Sequence, residues 1–176
     1  MCRIFKFKTG ILLLLLILLC GCDMQWQRYN NREYGFSILL PSSWDKQEGA
    51  LKAVIVAIAP LQNKRIPNKM HANMNVFVTE LPEDIKLGII FELNKEELSK
   101  FAAAMNDLTE GEIYAGSLPG KWLSFDGIIR DSRLKMISAV WVKNKRIYTI
   151  TCSALLDEFA LYKPIFSKIM RSLRVK

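Results

Sequence analysis

Histidine is nearly absent: the 176 residues carry one, His71. A lone imidazole without neighbouring Cys or carboxylate spacing offers no zinc site. The chain has no Gly-x-Ser-x-Gly elbow, Walker loop or dinucleotide fingerprint, so the commonest hydrolase, NTPase and dehydrogenase signatures are missing. Nine glycines and six prolines leave no fibrous bias. A charged fraction of 24% excludes a polytopic membrane protein. No repeat or low-complexity tract lies outside the N-terminus. Long apolar runs are also scarce. There is one, Ile11 to Cys20, about half of the ~20 residues that a helix needs to span a bilayer.

That run has a context. Arg3, Lys6 and Lys8 precede it, and a basic segment before a 7–15-residue apolar stretch is the pattern of a secretory signal peptide. Leu19-Cys20-Gly21-Cys22 follows and resembles the bacterial lipobox, with cleavage between Gly21 and Cys22 and a diacylglyceryl group on the Cys22 thiol. Cutting before Cys20 would put Leu19 where a small residue is required. An ordinary cleaved signal or an uncleaved anchor is the plainer alternative. Two or three acyl chains, at ~0.8 kcal/mol per buried methylene, anchor a protein stably. Asp23 resembles the inner-membrane retention signal of enterobacterial lipoproteins. The expected location is therefore the outer, periplasmic face of the cytoplasmic membrane, with the outer membrane as the alternative.

Processing changes the arithmetic. Four cysteines suggest two disulfides in an exported protein. Cys2 and Cys20 leave with the signal and Cys22 carries lipid, so Cys152 stands alone and no internal disulfide forms. Loss of three cations leaves 22 Lys and Arg against 17 Asp and Glu, a net +5. Lys64-Arg65, Lys143 to Arg146, and Lys168, Arg171, Arg174 and Lys176 form clusters. Solvated surface charge is the simpler reading; contact with anionic headgroups is the sharper one. Nucleic-acid binding is not expected of an exported, tethered chain without a recognised motif.

Three segments are expected: a signal over 1–21, a lipidated tether over 22–33, and one domain over 34–176. Trp26 and Tyr29 interrupt the polar tether and either meet the bilayer interface or, more simply, pack on the domain edge. Phe36, Ile38 and Leu40 alternate to Pro41, predicting a strand. Residues 52–59 predict a second strand ended by Pro60, and 74–81 a third, after a polar loop over 61–73. Asn94 with Glu97 resembles a capping box, predicting a helix from Lys95 to near Asp107 with Leu98, Phe101, Ala102 and Met105 on one stripe. Strands are predicted over 112–116, 121–130, 134–142 and 146–153, the last two joined by Lys143-Asn144-Lys145. Residues 136–142 are apolar on both faces, so both sides of the sheet need cover. Phe159, Tyr162, Phe166, Ile169, Met170 and Leu173 predict a closing helix. Pro164 inside that span implies a start near Lys163 or a short preceding turn. The order β-β-β-α-β-β-β-β-α with short turns predicts a largely antiparallel sheet.

The segment Tyr34-Gly35-Phe36-Ser37-Ile38 with Pro41 and Trp44 resembles the opening of PsbP-like and DcrB-like domains. Asn75-Val76, Tyr148-Thr149-Ile150-Thr151 and Ser172-Leu173 extend the similarity over residues 34–174. The resemblance implies an α+β fold: an α/β/α sandwich with a mostly antiparallel central sheet of six to seven strands and helices on both faces, as in the Ran-binding Mog1 proteins. It implies packing roles for Gly35 (a tight turn), Phe36, Pro41 (a strand end) and Trp44 (a core plug). Relatives of this kind include photosystem subunits and bacterial lipoproteins.

No catalytic constellation is expected. His71 reads as a loop residue, and Cys152 as a small apolar filler in a strand rather than a nucleophile. Glu80, Glu83, Asp84, Glu96 and Glu97 serve turns and a helix start, with a weak cation site as the alternative. No cofactor and no metal are implied. The expected function is a non-enzymatic envelope module that binds a protein partner of unknown identity, the alternative being a carrier or sensor of a small hydrophobic or ionic ligand.

Overall fold

A computed structural model describes residues 24–60, 70–101, 105–129 and 131–176. Residues 1–21, Cys22 and Asp23, most of the 61–73 loop, and Ala102 lie outside the described residues.

The central element is β8 (Ser132–Lys143). Met136, Ser138 and Val140 point to one side, Ile137, Ala139 and Trp141 to the other, because side chains alternate along a strand. Five of the six are apolar, and both sides are covered. β8 lies between β7 (Leu118–Ile129) and β9 (Arg146–Leu155) in a seven-stranded sheet. The remaining members are β3 (Asp45–Glu48), β4 (Ile55–Ile58), β5 (Asn73–Glu80) and β6 (Asn106–Ala115), in the order β3-β4-β5-β9-β8-β7-β6. Every pairing among the described residues is antiparallel.

One face is covered by α1 (Leu87–Phe101), whose Phe91 packs with Leu123, Phe125, Met136 and Val140. The other carries the larger core and is covered twice. α2 (Phe159–Arg171) supplies Phe159, Tyr162, Phe166, Ile169 and Met170. A second sheet, ordered β1-β2-β10, supplies Phe36, Ile38 and Leu40. Its strands are β1 (Trp26–Asn31), β2 (Phe36–Pro41) and β10 (Arg174–Val175). Ser172 closes α2 and joins the two covers: its Oγ accepts from Leu39 N–H at 2.7 Å and donates to the Ile169 carbonyl at 2.6 Å. The Tyr148 hydroxyl donates to the Tyr34 carbonyl at 2.9 Å and ties the small sheet to the large one. This is the α/β/α sandwich with helices on both faces that the sequence predicts.

Several local readings need correction. The tether does not reach residue 33, because Trp26–Asn31 pairs with β2 along its whole length, from Trp26↔Pro41 to Asn31↔Phe36. As an edge strand with one inward face it needs little apolar content, which is why it reads as polar linker. Trp26 and Tyr29 pack against the main core. The strand beginning at Phe36 belongs to this second sheet, not the central one. The mid-chain helix begins at Leu87, not after Asn94. Asn94 lies inside it, and its side-chain amide reaches Ser138 Oγ across the interface at 3.4 Å. The residues predicted to end that helix form β6 instead. The predicted strand over 52–59 shortens to β4, preceded by a 3₁₀ turn at Ala50–Lys52. α2 runs unbroken from Phe159 through Pro164. The ring removes one hydrogen bond, to the Ala160 carbonyl, and both residues sit on the exposed side, where water can replace it.

Two tryptophans lie across from glycines on neighbouring strands: Trp141 opposite Gly120 and Trp122 opposite Gly111. A Cβ on Gly120 would overlap Trp141 Nε1 and meet the Val140 carbonyl oxygen at 2.7 Å, whereas on Gly111 it would meet the Trp122 ring at 3.0 Å. The fully buried Trp141 cannot move aside; the half-buried Trp122 can. Gly120→Ala is therefore expected to cost about 2–3 kcal/mol as overpacking, and Gly111→Ala about 1 kcal/mol or less. Denaturant unfolding of both variants checks the difference; equal costs would contradict it.

Candidate functional site

The residues singled out from sequence do not converge. Cys152 in β9 is wholly enclosed in the main core, and burial pushes its thiol well above the usual range. His71 lies ahead of β5, half-buried, with Nδ1 3.0 Å from the Ala59 carbonyl oxygen. An acceptor carbonyl there requires the proton on Nδ1. Glu80 accepts from Arg146 at 2.8 Å. Glu96 and Glu97 pair with Lys100 at 3.1 and 3.5 Å. They lie in the second half of α1, so the role proposed for them at a helix start fails. Glu83 and Asp84 are exposed before α1. Among the described residues, no group of three or more His, Cys, Asp or Glu side chains could hold a metal ion.

Gly35 adopts φ +65° in the turn between β1 and β2, the left-handed region that glycine enters without a Cβ penalty. Pro41 is the buried last residue of β2. Phe36 packs edge-on to Tyr148 at 6.0 Å. Trp44 packs edge-on to Tyr162 and Phe166, with centroids at 6.3 and 6.2 Å.

Two surfaces that sequence reasoning missed hold more promise. The first is a cleft of about 290 Å³ between α2 and the sheet. Ile113, Trp122, Ile137, Phe166 and Met170 give it an apolar floor, while Lys163 and Arg171 stand among its lining residues. Lys135, also in the lining, is paired with Asp126. The volume falls at the lower end of small-ligand sites. No local sequence signal announces the cleft, since its walls come from β6, β7, β8 and α2.

The second lies on the α1 side. Ile89 and Leu93, one turn apart, are each about half exposed at 54% and 51%. Lys95 bridges Glu92 on α1 and Glu110 on β6 at 3.0 and 3.2 Å, and both carboxylates hold its ammonium pKa up. This ion pair links α1 to β6, the ten-residue outer strand of the sheet, where Leu108 and Tyr114 are exposed. An outer strand offers unpaired backbone groups to another chain. The mid-chain helix, misplaced by eight residues from sequence, concealed this pairing.

An antiparallel seven-stranded sheet between helices, with a small second sheet on one side, defines the PsbP/Mog1 fold. No protein-family model matches the sequence, and no curated protein matches it. Solved structures do. The chain is similar to cyanobacterial PsbP (CyanoP) from Synechocystis, with TM-score 0.64, 17% identity, and 87% of this chain and 94% of that one covered. It is similar to LpqN, involved in cell envelope biogenesis of Mycobacterium tuberculosis, with TM-score 0.65, 12% identity and coverage of 86% and 91%. It is also similar to the Ran-binding protein Mog1p of Saccharomyces cerevisiae, with TM-score 0.57, 11% identity and coverage of 87% and 96%. At these identities the likeness establishes the fold.

The buried thiol gives a clear expectation. Cys152 should react with a thiol reagent at pH 8 about a thousandfold more slowly than a free cysteine, since reaction must await an opening that costs several kcal/mol. Its raised pKa means the unfolded chain releases this proton first, so stability falls as pH climbs above about 8.5. Cys152→Ala should remove that component of the alkaline slope. Rapid labelling of the folded protein, or an unchanged slope in Cys152→Ala, would contradict this placement.

Proposed function

We propose that this chain is a bacterial envelope lipoprotein, anchored by lipid on Cys22 on the periplasmic side of the cytoplasmic membrane, and that its domain is a non-enzymatic protein-binding or assembly module. The observation carrying the binding role is the joined surface of α1 and β6. It carries exposed Ile89 and Leu93 on the helix and exposed Leu108 and Tyr114 on an open strand edge, with Glu110 and Glu112 on the same strand. Apolar contacts bordered by charge and a free edge suit a protein partner better than a small substrate. The involvement of LpqN in cell envelope biogenesis and the Ran binding of Mog1p are both compatible with a binding scaffold. The anchor rests on the lipobox alone.

A second reading is favoured by the cleft under α2. Its apolar floor with Lys163 and Arg171 suits a small anionic amphiphile, making the domain a carrier or sensor.

Mass spectrometry of membrane-extracted protein should find an acylated N-terminal Cys22, and Cys22→Ala should accumulate unprocessed. Processing and membrane retention unchanged in Cys22→Ala would refute the anchor. For the binding role, a photo-crosslinking residue at Leu93 or Tyr114 in intact cells should yield one and the same adduct, reduced about tenfold or more by Leu93→Lys. Adducts only from positions lining the cleft, with a co-purifying amphiphile, would favour the carrier.

A further inference from the structure

Charge is unevenly divided over this molecule. After Asp157 and Glu158, the stretch from Phe159 to Lys176 contains five cations and no Asp or Glu. α1, on the opposite face of the large sheet, and β6, at its edge, hold Glu92, Glu96, Glu97, Asp107, Glu110 and Glu112. The ion pairs among the described residues draw on Lys95, Lys100, Lys135 and Arg146, none of which belongs to α2.

The small sheet adds to the basic side. Arg28 lies opposite Leu39, and Arg174 lies opposite Ser37. Since Ser37 and Leu39 are alternate residues of β2, both arginines sit on the sheet's outward face. Lys168 holds its ammonium 4.1 Å from the centre of the Trp26 ring, which joins α2 to the first residue of β1. Arg171, exposed, follows on the same helix.

Trp26 is four residues from Cys22, at most about 14 Å of extended chain. Attraction to an anionic surface acts over about 8–10 Å, so a lipid on Cys22 would hold this patch within range of the headgroups. Trp26 is also the residue type that settles at a membrane interface. We infer that the face built from Arg28, Lys168, Arg171, Arg174 and Trp26 docks on anionic phospholipid headgroups, orienting the domain with α2 toward the bilayer. The inference deepens the proposed function and rests on its lipid anchor. The α1–β6 surface is thereby left facing away from the membrane.

The test uses the full chain, purified from membranes and reconstituted into phosphatidylcholine vesicles with and without phosphatidylglycerol. Leu161, 55% exposed and two helical turns before Lys168, is replaced as Leu161→Cys; Ser99→Cys on exposed α1 is the control. Cys152 is too buried to interfere. Maleimide labelling at Leu161→Cys should slow about fivefold or more when phosphatidylglycerol is present. High salt should restore it, and so should the combined substitutions Arg28→Gln, Lys168→Gln, Arg171→Gln and Arg174→Gln. Ser99→Cys should label alike on both vesicles. Should the fourfold variant fail to fold, the salt response alone decides. Equal labelling of Leu161→Cys on both vesicles would overturn the inference, as would protection of Ser99→Cys instead. So would protection of Leu161→Cys only in native envelope membranes, which would assign the cations to an acidic protein. The N-terminal peptide mass from the same preparation reports the anchor separately. Protection without lipid on Cys22 would leave the basic face standing and remove the anchor; lipid without protection would do the reverse.

Discussion

The structure depends on a strand that must be covered twice. β8 sends Met136 and Val140 one way and Ile137, Ala139 and Trp141 the other. Each large apolar side chain removed from water contributes about 1.5–3 kcal/mol, so neither face can be left open. α1 closes one side. The other needs α2 together with a second sheet, and that need explains the rest of the layout. It recruits Trp26–Asn31 as a strand, places Ser172 as the joint between the two covers, and ends the chain beside β2, where Lys176 N–H meets the Gly35 carbonyl at 2.9 Å. Trp141 can lie flat against the sheet because Gly120 has no Cβ.

What the sequence made legible tracks what local pattern can encode. The two-faced run at 136–142, the hairpin around Asn144 and the amphipathic period from Phe159 to Leu173 each carry their own signal, and each forms the type of element that its signal specifies. The pattern Phe36-x-Ile38-x-Leu40 identified a strand but not its sheet, because alternation reports a buried face and not the neighbour. Asn94 misled because Asn followed by Glu97 is favourable at a cap. Here its amide is used across an interface with Ser138 instead, a tertiary demand that no local rule anticipates. β1 was hidden because an edge strand needs few apolar residues. The candidate surfaces were less legible still. The cleft gathers walls from four elements, and the α1–β6 surface combines two elements that Lys95 and Glu110 link across the fold.

These features give the domain two unlike sides. One is basic, carries the start of the folded chain and has a cleft beneath its helix. The other is acidic, with exposed apolar residues beside an open strand edge. Cys152, His71 and the carboxylates lie apart, engaged in packing, hydrogen bonds or ion pairs, or exposed to solvent. A scaffold of this fold held close to a bilayer would use one side to lie down and the other to receive a partner.

The most direct measurement of that division is hydroxyl-radical footprinting of the protein in its native membranes against the detergent-extracted form. The account predicts that Leu161 on the basic side and Leu93, Leu108 and Tyr114 on the acidic side are oxidised more slowly in the membranes. Leu51, 85% exposed on a 3₁₀ turn that belongs to neither surface, should be oxidised equally in the two states. Equal oxidation at all five positions would contradict it.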